Sequence, residues 1–140
     1  MAGWRPGKVR RISVTGGVLL ACLVAPGIAA EPSLAGASCL PAGELRGDAA
    51  NGAVLHEKYC AECHGDSGKG DVIVMHMDSP PKDQSDPAYM KTLPDSFLYL
   101  AVCKGGEAVG RSFIMPGWGD LLSDQEIKDL VARIRAFSGT

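Results

Sequence analysis

The chain has 140 residues with 14 basic and 16 acidic side chains and a formal charge of −2, a length that suits one domain. The acidic balance offers no basic surface for nucleic acid. No internal repeat, heptad or low-complexity tract is present, which excludes a solenoid or a coiled coil.

Residues 1–30 read as an export signal. Lys8, Arg10 and Arg11 form a positive start, Ile12–Ala25 an apolar middle, and Gly27-Ile28-Ala29-Ala30 the small residues that cleavage requires. Cleavage is expected near Ala30, which places the mature protein in the periplasm. The apolar run is short and carries Gly, Ser and Thr, so a retained membrane anchor is the lesser reading. Lipid attachment at Cys22 fits poorly, because Leu23-Val24-Ala25 simply continue the apolar run. Arg10-Arg11 alone is a weak twin-arginine signal. Loss of this segment removes four of the 14 basic residues and no acidic one, taking the formal charge from −2 to −6. Such a surface favours partners with a basic docking patch, in an association weakened by salt.

Residues 31–47 contain Pro, Gly, Ser and Ala without periodicity and read as an N-terminal extension, with the folded domain over 48–140. Asp48 opens a predicted helix that runs to Tyr59. It delivers Cys60-Ala61-Glu62-Cys63-His64, the C-x-x-C-H pattern of covalent haem attachment. Each thiol adds its S–H across one vinyl group of the porphyrin, and the adjacent imidazole offers a nitrogen to the iron. A zinc site would need two further Cys or His ligands at comparable spacing, and a thioredoxin-like pair would need a βαβ context. The sequence has neither.

Residues 65–71 form a loop, and 72–90 are expected to stay loop-like because Pro80, Pro81 and Pro87 interrupt them. A loop this long in a small domain suits the wrapping of a flat cofactor. Pro94 sits near the first turn of a predicted helix that extends through Cys103 and stops at Gly105-Gly106. After a loop over 106–120, Ser123-Asp124-Gln125-Glu126 is a capping-box signature. Ile127, Leu130, Val131, Ile134 and Phe137 follow at helical spacing, giving a final amphipathic helix. The fold class is therefore all-α, with a core small enough that the haem is expected to complete it.

A single imidazole leaves one face of the iron unclaimed, and its occupant separates an electron carrier from a catalyst or gas sensor. Met75, His76, Met77, Met90 and Met115 are the candidates. Met115 is the best placed: it lies beyond a helix, in a loop where Pro116 and Gly117 can present a thioether, whereas residues close behind His64 must cross between haem faces. Met75, Met77 and Met90 read as core fillers. Cys39 and Cys103 remain as a spare pair in an oxidising compartment, and a disulfide between them would pin the extension to the middle helix.

The chain resembles the class I c-type cytochromes from about Asp48 to Phe137. The resemblance rests on Cys60-x-x-Cys63-His64-Gly65, Gly68-Lys69-Gly70-Asp71, Pro80-Pro81, Lys104-Gly105-Gly106, Met115-Pro116-x-Trp118 and Leu122-Ser123-Asp124-x-Glu126-Ile127 in that order. It implies three main helices around one covalent haem c, with His64 and Met115 as axial ligands and electron transfer through an exposed haem edge. It further implies that Gly52 lets the first helix approach the last near Leu130 and Ile134. Pro80 or Pro81 would supply a carbonyl to His64 Nδ1, and Lys82 and Trp118 would meet the haem propionates.

The chain departs from the family where His56 and Arg133 replace residues that are often aromatic, so the aromatic contact between the terminal helices is expected to be weakened or absent. His56 lies a full turn behind the motif, and no coordinating role is expected of it. The function these features imply is a periplasmic one-electron carrier that uses no catalytic side chain and no small-molecule substrate. The alternative is a cytochrome subunit of a membrane-associated oxidase or dehydrogenase, touching the membrane only through its complex or an uncleaved signal. A haem enzyme or gas sensor would need an open sixth site and is the least favoured.

Overall fold

The computed structural model describes residues 37–40, 43–72, 77 and 79–140. The export signal, Met75 and His76 lie outside these residues. Among them the secondary structure is entirely helical: α1 (Ala49–Tyr59), α2 (Ala61–His64), α3 (Pro87–Met90), α4 (Asp95–Lys104) and α5 (Asp124–Ser138), with a 3-10 turn at Glu107–Val109. None of these helices is long and apolar enough to cross a membrane.

The three longer helices start where their capping residues stand. The Asp48 carboxylate accepts the Ala50 N–H at 2.8 Å, satisfying one of the free donors of the first turn of α1. Ser123 accepts the Glu126 N–H while the Glu126 carboxylate accepts the Ser123 N–H at 2.8 Å, the reciprocal pair expected at the start of α5. Pro94 caps α4 from just outside the helix, where its missing N–H costs nothing. The expectation of an uninterrupted loop over 72–90 is corrected by α3. Asp86 accepts from the Ala88 and Tyr89 N–H groups, and Pro87 occupies the first turn, so the proline starts a helix rather than breaking one.

One core joins α1, α4 and α5, with Leu55, Leu98, Tyr99, Val102, Ile127, Leu130, Val131 and Ile134 at its centre. Leu130 and Ile127 are fully buried, and each contributes about 1.5–3 kcal/mol through the apolar area it removes from water. The helices α1 and α5 cross at Gly52, where a Cβ would stand 2.0 Å from the Asp129 carbonyl oxygen and 2.9 Å from the Arg133 Cβ. The close approach therefore falls on Asp129 and Arg133, beside the expected Leu130 and Ile134. Only glycine fits there.

Asp129 fastens this crossing. Its buried carboxylate accepts the Asp48 N–H at 2.7 Å, the Asn51 amide at 2.7 Å and the Gln125 amide at 2.8 Å. Burial alone would raise its pKa. The hydrogen bonds from Asn51, the Asp48 backbone and Gln125 outweigh that and hold it below the ordinary value of 3.8.

The aromatic contact between the terminal helices is also present, against the expectation, in a different form. His56 meets Phe137 edge-on at 4.9 Å between ring centroids, and the Arg133 guanidinium lies 4.2 Å above the Phe137 ring. Phe137, one turn beyond Arg133, carries the contact that both departures had seemed to remove. The spare cysteines are joined: Cys39 and Cys103 form a disulfide across 64 residues that ties the extension to α4.

Candidate functional site

The end of α1 continues almost directly into α2. The Cys60 N–H donates to the His56 carbonyl at 2.8 Å, and the His64 N–H to the Cys60 carbonyl at 2.9 Å. This near-continuous helical path sets Cys60, Cys63 and His64 along one cavity of about 410 Å³. The Gly70 N–H donates to the His64 carbonyl at 2.8 Å, fixing the chain immediately after the motif.

The loop after α4 reaches the same cavity with Met115 and Trp118, while Leu98, Ala101 and Val102 of α4 supply an apolar wall. Two backbone hydrogen bonds fix this loop to the end of α4, Trp118 N–H to Val102 C=O at 2.9 Å and Gly119 N–H to Cys103 C=O at 2.9 Å, and a third, Gly106 N–H to Met115 C=O at 3.0 Å, closes the loop on itself just beyond the helix. Trp118 packs against Tyr59 with ring centroids 5.1 Å apart, joining the loop to the end of α1.

The chemistry of these groups suits a covalent haem. Cys60 and Cys63 are unpaired and half-buried, leaving both sulfurs free to form thioethers. Burial, with Cys63 adding to it, pushes the Cys60 thiol up to about 11, so it keeps its proton. Burial, reinforced by His56, lowers His64 to about 4. Its imidazole is neutral, the form that binds a metal. Two free thiols, a neutral imidazole and a soft thioether around an apolar cavity match haem c with its iron. Among the described residues no group of three or more His, Cys, Asp or Glu stands close enough to hold a metal ion.

All eight residues anticipated for the site, Cys60, Cys63, His64, Pro80, Pro81, Lys82, Met115 and Trp118, line this cavity. Among the described residues His64 Nδ1 is buried with no hydrogen-bond partner, while Pro80 and Pro81 stand in the lining of the same cavity. Lys82 is exposed and Trp118 half-buried, positions compatible with a carboxylate of the cofactor.

Met77 and Met90 line the cavity as well, and Met90 is also a core residue, as its reading as a filler requires. Arg111 went unnoticed in the sequence. It lines the cavity with its guanidinium 5.8 Å from the Phe97 ring centroid and 3.4 Å from the Tyr89 hydroxyl. A lone Arg in a glycine-bounded loop gives no periodic or motif signal. His56 is buried behind His64, at 6.5 Å between ring centroids, and does not line the cavity.

The helical fold and this attachment site define a c-type cytochrome domain of class I. The chain belongs to the family described as cytochrome c oxidase, cbb3-type, subunit III, whose model matches residues 47–132. No curated protein matches it. Family membership establishes a haem-bearing electron-transfer domain.

Proposed function

We propose that the chain is an exported electron carrier with one haem c, held by thioethers to Cys60 and Cys63 and ligated by His64 and Met115. The observation that carries this reading is the meeting of the C-x-x-C-H segment and the Met115 loop in one apolar cavity. Bound haem supplies the iron that gains and gives up one electron. The protein's part is to keep the His64 nitrogen neutral, to hold a thioether that favours the reduced state, and to exclude water with the α4 wall. No catalytic side chain is needed. The charge of −6 after loss of residues 1–30 supports a periplasmic donor and acceptor with basic docking patches, and an association rate that falls with salt.

A second reading is favoured by the family match, whose description names an oxidase subunit. The same domain would then relay electrons inside a membrane-associated complex. Co-purification with a partner at high salt, together with retention of residues 12–25, would distinguish it from a free carrier.

The absorption spectrum of the ferric holoprotein at neutral pH tests the ligand assignment. The weak far-red band of methionine sulfur on ferric haem is expected in the wild type and is expected to be absent from Met115→Leu. A high-spin wild-type spectrum without the band would overturn Met115 as ligand and bring forward a haem enzyme or gas sensor.

A further inference from the structure

The segment that presents Met115 has a second fastening outside the haem cavity. Gly119 donates its N–H to the Cys103 carbonyl at 2.9 Å and accepts the Ala37 N–H at 2.7 Å, and the same Ala37 N–H lies 3.1 Å from the Leu122 carbonyl. A Cβ on Gly119 would stand 2.6 Å from Cys39 Sγ and 2.7 Å from Cys103 Sγ, so the disulfide lies directly against its backbone. Both cysteines are buried, Cys39 at 9% exposure and Cys103 at 3%. Residues 37–39 thus form a short strap over the root of the Met115 loop, and the disulfide ties that strap to the helix on which the loop rests.

We propose that the Cys39–Cys103 disulfide positions the sixth ligand, acting as a clamp that keeps Met115 from being displaced. The inference rests on the reading of Met115 as ligand. Displacement of a thioether by an added ligand requires the loop to leave the end of α4. Leaving breaks the Gly119 and Trp118 bonds to α4, and Gly119 must also part from the strap. While the sulfurs are joined, residue 39 stays anchored at Cys103 and the strap closes again over Gly119. Without the bond, residues 37–39 are held there only by the hydrogen bonds of Ala37 and by packing, and the open state gains the freedom of an untethered N-terminal segment. The affinity of an added ligand follows the population of that open state. Cys39 and Cys103 are positioning residues, since neither lines the haem cavity.

The test is imidazole titration of ferric holoprotein, reading loss of the far-red band, for wild type and Cys39→Ala/Cys103→Ala. The volume-conserving pair Cys39→Ala/Cys103→Val replaces the latter if it yields no holoprotein. Asp129→Asn serves as a control, because it loosens the α1–α5 crossing away from the loop. Removing the disulfide is expected to lower the imidazole midpoint by about tenfold, in proportion to the open population. The control is expected to melt at a lower temperature with its midpoint unchanged. An unchanged midpoint in the disulfide variant, or an equal shift in Asp129→Asn, would overturn the clamp while leaving Met115 as ligand. A wild-type spectrum with no far-red band would remove the ligand assignment first, and the clamp with it.

Discussion

The segment that carries Cys60, Cys63 and His64 and the segment that carries Met115 line the same cavity, but only the first is helical. On the attachment side, α1 is capped by Asp48, locked to α5 at Gly52 and Asp129, and leads through Cys60 into the motif. On the other side the chain over 110–122 takes its shape from its neighbours: two backbone bonds to the end of α4, one from Gly106 just beyond it, a strap from residues 37–39, and a disulfide. A helix satisfies its own backbone, so its position is set by packing. An irregular segment must find its partners elsewhere, and each one found becomes a constraint on where Met115 stands. The proposed ligand pair thus draws on two kinds of backbone: His64 arrives with the attachment motif on a helical path, and Met115 stands on a segment held by its neighbours.

The largest effect expected on the attachment side comes from Cys60→Ser/Cys63→Ser. Haem would no longer survive acidic organic extraction, and far-UV circular dichroism should show loss of most helix, because the cavity of about 410 Å³ would lack its filler. Persistence of the full helical signal without haem would mean that the polypeptide core suffices alone. Next comes Gly52→Val, which drives a side chain into the Asp129 carbonyl. A loss of about 3 kcal/mol or more is expected from such overpacking, measured by denaturant unfolding. A mild effect would show that α1 and α5 can slide apart, and that the attachment side is less rigid than its contacts suggest.

The helices were largely legible in the sequence, because periodicity and caps are local. Asp48 and Ser123 announced α1 and α5, and Pro94 with Gly105 bounded α4. The attachment motif was legible for the same reason, as five consecutive residues. What was hidden depends on residues brought together from afar. Asp129 looks like a solvated charge on a helix, yet it is buried because Asp48, Asn51 and Gln125 converge on it. Phe137 replaces the aromatic pair that His56 and Arg133 had removed, a substitution visible only once both helices are placed. The cysteine count suggested the Cys39–Cys103 bond, but not that it rests on Gly119.

Asp129 also gives the attachment side a pH dependence. Its carboxyl lies below the ordinary 3.8 in the folded protein, so its stabilising effect is fully present above that value and is lost as pH falls through the folded pKa. Asp124 works in the same direction, held down first by Lys128 and then by the Tyr99 hydroxyl. In Asp129→Asn the amide keeps one acceptor but loses the charge that three donors face. A cost of about 2 kcal/mol is expected at neutral pH, from weakened hydrogen bonds to a charged group. The gap from wild type should narrow as pH drops below 3.8, and a gap constant with pH would show that the Asp129 charge contributes nothing.

The smallest effect tests whether the two sides share a support. Ser123 starts α5, which packs against both α1 and α4, and it follows Leu122, whose N–H bonds to the Trp118 carbonyl and whose carbonyl receives Ala37. Ser123→Ala removes the cap and should cost about 1 kcal/mol. For a domain of this size that is a fall of about 4–8 °C in melting temperature. If α5 acts only as a common floor, the far-red band and its imidazole midpoint should stay at wild-type values, since the bonds from Trp118 and Gly119 to α4 and from Gly106 to Met115 do not pass through Ser123. A midpoint that moves with the melting temperature would instead mean that the first turn of α5 holds the Met115 loop from below. The clamp would then extend from the disulfide through Leu122 into the helix.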